Sequence, residues 1–84
     1  MANLEDLPNL GMKTAKRLRI AGIADSESLL VMGAAEAYRR LKTEFPRDTS
    51  LNALWALAGA IEGRHWQSYT VDEKAALKAA VARD

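Results

Sequence analysis

The densest chemistry in this sequence lies in one short run, Leu7-Pro8-Asn9-Leu10-Gly11-Met12-Lys13-Thr14-Ala15-Lys16-Arg17. Pro8 closes a first turn of helix, Gly11 ends a tight turn, and a second helix starts at once, the layout of a helix–hairpin–helix motif. Gly11 has no side chain to keep a phosphate away from the backbone. The N–H groups of Met12, Lys13 and Thr14, which have no partner inside their own helix, then point at that phosphate with the helix dipole behind them. Lys13, Lys16 and Arg17 add positive charge on the exposed face. From Leu7 to Ala24 there are four basic residues and no acidic one, a local +4 on a chain whose formal net charge is only +1. The candidate site is therefore Gly11, Lys13, Thr14, Lys16 and Arg17. Its ligand would be duplex DNA, held weakly and without sequence preference, because so few phosphate contacts are available. One position departs from the motif. Asn9 stands where glycine is usual, and asparagine tolerates left-handed backbone but puts a side chain where a phosphate would approach.

A second reading uses the same helix differently. On the helical wheel Ile20 falls inside the basic arc, among Lys13, Lys16 and Arg17. An exposed aliphatic ringed by cations suits a protein interface, with Ile20 and Arg19 at its centre, better than a phosphate backbone. The N-terminal turn covering Ile20 is the structural alternative. A hairpin of this shape also serves simply to join two core helices.

Other groups that could do chemistry lack partners. His65 is the single histidine and there is no cysteine, so no metal-ligand spacing exists and no thiol nucleophile is available. Beside Arg64 and Trp66, His65 reads as a helix-end or surface histidine. Asp72 and Glu73 are adjacent carboxylates, but Thr70-Val71-Asp72-Glu73 is a capping box and accounts for them. The serines lie at caps and in loops with no general base in view. Neither standard phosphate-loop spacing occurs. The reading is a non-catalytic binding module with no cofactor.

The elements that must position the hairpin are helices. Strand signals are weak and Ala and Leu dominate, punctuated by Pro8, Gly11, Gly22, Gly33, Pro46, Gly59 and Gly63. The expected order is a single turn over 4–7 and helices over 12–21, 26–32, 34–44, 51–62 and from 71 onward. Asp25 should accept from the Ser28 N–H as a cap, and Ser50 should cap the fifth helix. That helix is apolar nearly all round, with Leu51, Leu54, Trp55, Leu57, Ala58 and Ile61, so it should be the buried centre. Gly59 and Gly63 would let a neighbour approach it closely or end it. The last helix should bury Val71, Leu77 and Val81 and expose Lys74 and Lys78. The fold class is all-α, a compact domain of five to six helices over 1–84 with an N-terminal helix–hairpin–helix-like motif.

Composition sets the bounds. Eighty-four residues allow one small domain that buries roughly 63% of its unfolded surface. Hydrophobic residues at 49% and charged residues at 27% are globular values and exclude intrinsic disorder. The longest apolar run, Ala53 to Ile61, is far short of the ~20 residues needed to span a bilayer. Met1 to Asp6 is acidic with no apolar stretch, so no signal peptide is expected, and the expected location is cytoplasmic.

Taken in order, these signals resemble the C-terminal domain of the TfoX/Sxy family of bacterial DNA-transformation (competence) regulators. The resemblance runs from Leu7-Pro8-Asn9-Leu10-Gly11 through Gly22-Ile23, and through Gly33-Ala34 with Ala37-Tyr38-Arg39-Arg40-Leu41. It continues in Ser50-Leu51-Asn52-Ala53-Leu54 and the stretch Ala56 to Gly63, then Trp66, Lys74 and Leu77, about residues 4–80 in all. It implies an all-helical domain with a helix–hairpin–helix-like start. Family members often have proline at the position of Met12, which only pre-sets the first turn. Full-length regulators carry a separate N-terminal domain, so this chain reads as a stand-alone copy. The resemblance offers two partners besides DNA: a transcription regulator, or a separate TfoX N-terminal-type domain.

Overall fold

A computed structural model describes residues 3–82 of the chain. After a 3-10 turn at Leu4–Asp6 come α1 (Met12–Ile20), α2 (Ser26–Met32), α3 (Ala34–Glu44) and α4 (Leu51–Glu62). A second 3-10 turn, Trp66–Ser68, precedes α5 (Val71–Ala82). The described residues contain no strand, and none of their helices is long and apolar enough to cross a membrane.

The local signals act as elementary chemistry dictates. Gly22 takes φ +93 at the end of α1, and the chain closes in a Schellman pattern. The Ile23 N–H donates to the Leu18 carbonyl (2.9 Å) and the Gly22 N–H to that of Arg19 (3.0 Å), while Ile23 is buried against the core. This tight ending takes Ala21 out of the helix, which stops at Ile20. Asp25 accepts the Ser28 N–H at 2.9 Å and starts α2. Thr70 and Glu73 form the reciprocal box that starts α5: Glu73 accepts the Thr70 N–H (2.9 Å) and Thr70 Oγ1 accepts that of Glu73 (3.2 Å). Ser50 stands at the head of α4 in extended backbone, but its hydroxyl makes no capping bond.

α4 is the centre of the molecule. Leu54, Trp55, Leu57, Ala58, Gly59 and Ala60 are buried. Leu4, Leu10, Leu18, Ile23, Leu29, Tyr38, Leu41 and Tyr69 from the other segments close around them. Burial is not complete: Ile61 is half-buried, and Leu51, in the first turn, is exposed.

α5 differs from expectation. Val71 is 83% exposed, because it occupies the first turn beside the cap, and Leu77 and Val81 are half-buried. No described residue of α5 is fully buried, so polar clamps hold the helix down. The Arg39 guanidinium on α3 donates to the carbonyls of Val81 and Ala80, both at 3.0 Å, satisfying acceptors that a helix end leaves without partners. Lys74 lies over the Trp55 ring, 5.6 Å from its centroid, and so is only partly exposed. At the other end Arg64 grips Glu73 with two nitrogens (2.6 and 3.1 Å) and stacks on Tyr69 at 4.0 Å.

Arg64, with help from the Thr70 N–H, holds the Glu73 carboxyl down to about 2 from its ordinary 4.5. A carboxyl depressed in the folded state stabilises the fold fully above its unfolded value and loses that contribution as pH falls through the folded value. The domain should therefore lose stability between about pH 5 and pH 2 as this clamp protonates. Glu73→Gln should flatten that acid limb in urea midpoints measured from pH 6 to pH 2.5. An unchanged limb would show that Glu73 does not carry it.

Candidate nucleic-acid interface

The hairpin is shorter than a full helix–hairpin–helix. Its first arm is only the three-residue 3-10 turn, closed by the Leu7 N–H on the Leu4 carbonyl (3.1 Å). Pro8 and Asn9 then form the middle of a tight turn, with the Leu10 N–H on the Leu7 carbonyl at 3.4 Å. Asn9 is the one described non-glycine residue with positive φ, +69, which is the third position of a type II turn with proline at the second.

The Asn9 side chain does not lie in the path of a phosphate. It turns inward, to the C-terminal end of α4. Its Nδ2 donates to the Arg64 carbonyl (2.9 Å) and the Ala56 carbonyl (3.4 Å), and its Oδ1 accepts the Trp66 N–H (3.2 Å). One amide thus fixes the hairpin to the central helix and to the second 3-10 turn. The space for it exists because position 59 is glycine. A Cβ there would come closer than 3.0 Å to both Asn9 Nδ2 and the Arg64 carbonyl oxygen. The close neighbour that the Gly59 spacing called for is this hairpin, with the chain just after α4, rather than another helix. Gly63 ends α4 in left-handed backbone at φ +74, and the Arg64 N–H returns to the Gly59 carbonyl (2.9 Å).

Gly11 follows at the N-cap of α1, in extended backbone (φ −89, ψ −179), exposed, with open space where its Cβ would stand. No described side chain caps this helix, and its first turn has no acidic residue. The Met12, Lys13 and Thr14 N–H groups thus start a helix whose orphan donors find no acceptor among the described side chains.

The five predicted site residues lie together on the hairpin and the outer side of α1, but their charges are not equally available. Lys13 and Lys16 are exposed and form no ion pair among the described residues. Thr14 is half-buried. Arg17 is half-buried over the Phe45 ring, 5.4 Å from its centroid, with the Asp48 carboxylate 3.9 Å away. Arg19 is held by Glu5 through both terminal nitrogens, and this guanidinium keeps the Glu5 carboxyl below its ordinary value. The acidic partners come from outside the 7–24 segment, so its +4 reduces to two unengaged lysines at the helix start. Ile20 is not covered by the N-terminal turn; it is 56% exposed, and Met12 is 80% exposed.

His65 caps the second 3-10 turn, its Nδ1 accepting the Gln67 N–H at 3.1 Å. The described residues contain no group of three or more His, Cys, Asp or Glu placed to hold a metal ion.

The chain matches known proteins along nearly its whole length. The family model described as the TfoX C-terminal domain matches residues 1–81. A relative from Aliivibrio fischeri (strain ATCC 700601 / ES114), named DNA transformation protein TfoX1, is 32% identical over 74 residues. That match covers 88% of this chain and 35% of the relative, so the chain spans about a third of that protein's length. A crystal structure of an uncharacterized protein from Listeria monocytogenes, triclinic form, superposes with a TM-score of 0.84 at 34% identity. It covers 92% of this chain and 86% of that one. With this helical order, this hairpin and these matches, the chain belongs to the TfoX C-terminal domain family.

Proposed function

We propose that this domain is a non-catalytic binding module that contacts the phosphate backbone of duplex DNA through the start of α1. The observation that carries the reading is the pairing of an uncapped helix start with the two unengaged lysines, Lys13 and Lys16. Exposed N–H donors, a helix dipole and two exposed cations together make an anion site. Gly11 leaves the backbone accessible there, and Asn9 holds the turn rigidly on α4 without standing in front of it. Arg17 adds to the field while keeping its place on Phe45. The relative's name, a DNA transformation protein, agrees with this reading for a domain that makes up about a third of it.

Two cations and three amides give few phosphate contacts, so affinity should lie at about 10⁻⁴–10⁻⁶ M at physiological salt, with no sequence preference. Titrating ¹⁵N-labelled protein with duplex DNA should shift the amide resonances of Met12, Lys13 and Thr14 most. Larger shifts on α5, around Lys74 and Lys78, would overturn the assignment.

The exposure of Ile20 and Met12 favours a second reading, in which the outer face of α1 meets a protein. A transcription regulator, or a TfoX N-terminal-type domain on another chain, would be such a partner.

A further inference from the structure

Two patches on this surface are apolar, exposed and opposite in charge. The first is a stripe on α1. Met12, Lys16 and Ile20, four residues apart, stand one above another on the outer face, with Lys13 beside them. The second is an open groove of about 610 Å³ between α2 and α3. Its apolar wall is Met32 and Val31, the latter 91% exposed, and its rim carries Asp25, Glu27 and Glu36 against Arg40 alone. Asp25 is engaged at its cap and Glu36 with Arg39 and Arg40, whereas Glu27 forms no ion pair among the described residues.

Charge decides what fits. Stripe against stripe would set lysines face to face, and groove against groove would oppose carboxylates, each costing free energy. Stripe in groove matches apolar to apolar and Lys16 to an acidic rim. The two patches are also neighbours on one molecule. A Cβ on Gly22, two residues beyond Ile20, would lie 3.7 Å from the Arg40 guanidinium on the groove rim. Adjacent complementary patches allow a two-fold exchange, in which each copy supplies a stripe and a groove.

We propose that two copies of this chain associate crosswise, the Met12–Lys16–Ile20 stripe of each lying in the α2–α3 groove of the other. The contact needs no nucleic acid. It shares Lys13 and Lys16 with the proposed phosphate site, so DNA and the second copy compete for one surface.

Sedimentation equilibrium of the full chain, without DNA and at low salt, tests this. The mass should rise with concentration from 9.2 kDa toward twice that value. Lys16→Glu or Glu27→Lys alone should weaken association about tenfold or more, as the loss of a close interfacial charge pair does. The two together should restore it to within about threefold, because the pair is re-formed with its signs exchanged. Val31→Ser, at a fully exposed position that leaves the core untouched, should weaken association as well. A monomer at every concentration up to about 1 mM, the weak end of specific binding, would overturn the proposal. So would a double variant no better than the single ones, or association indifferent to Val31→Ser. Because Glu27 and Val31 lie outside the phosphate site, Glu27→Lys and Val31→Ser, unlike Lys16→Glu, should leave DNA binding in place, and failure of association would not count against that reading.

Discussion

Gly59→Ala is expected to destabilise the domain by about 1–4 kcal/mol, although in an ordinary helix interior the same change would stabilise it by about 1 kcal/mol. The sign follows from what stands at that position. The new methyl would press on the Arg64 carbonyl, which is backbone and cannot swing away, and on the Asn9 amide. Relief requires the hairpin to lift from α4 and the turn at Arg64, closed by its N–H on the Gly59 carbonyl, to open. That would break the bonds from Asn9 to Arg64 and Trp66 and leave partly buried donors and acceptors without partners, at about 1–3 kcal/mol. Asn9→Gly keeps the left-handed turn accessible while removing one of the two obstacles, so Gly59→Ala should cost less in that background. Urea denaturation of the four proteins in this cycle gives the coupling directly. A stabilising Gly59→Ala, or strict additivity with Asn9→Gly, would mean that the hairpin does not rest on α4 as described.

The second large effect is at the middle of the core. Leu54 is fully buried on α4, enclosed by side chains from the other helices. Leu54→Ala should cost about 2–5 kcal/mol through lost transfer energy and the cavity left behind. At 0.05–0.15 kcal/mol per residue, a domain of this length has only about 4–13 kcal/mol in total. The variant should therefore melt far below the wild type and be partly unfolded at 37 °C. A loss under 1 kcal/mol in chemical denaturation would show that α4 is not the centre.

Much of this arrangement could be read from the residues because their signals are local. Asp25, Gly33 and Gly63 set the bounds of α2, α3 and α4 through caps and left-handed backbone that act within one turn. The Thr70–Glu73 box is local in the same way. Ala-rich α5 misled because alanine fits either face, so Val71 looked like a core residue when the cap had already turned it outward. Three residues between Asn3 and Leu7 were too few for a true helix before Pro8, and the first arm of the hairpin is a 3-10 turn for that reason.

The site was half legible. Residue types and spacing located Gly11, Lys13 and Lys16, but counting charges from 7 to 24 could not show that Glu5 holds Arg19, or that Asp48 and Phe45 hold Arg17. Those contacts are made by the fold. The inward turn of Asn9 is equally non-local, since it depends on the gap that Gly59 leaves some 50 positions further along. The departure from glycine at position 9, which looked like an obstacle to phosphate binding, is instead the device that fixes the hairpin.

If the start of α1 grips phosphate, duplex DNA binding must weaken with salt to a degree that the α1 lysines set. Fluorescence polarisation of a labelled duplex, titrated at several salt concentrations, gives the slope of log affinity against log salt. The wild type should show a slope near −2, and Lys13→Gln and Lys16→Gln should each reduce its magnitude by about one. Lys78→Gln, on exposed α5, is the control and should leave the slope unchanged. Lys78 is the cleaner choice there because Lys74 is engaged on Trp55. Equal losses from Lys78→Gln and from the α1 variants, or no DNA binding even at low salt, would mean that phosphate is not held at the start of α1.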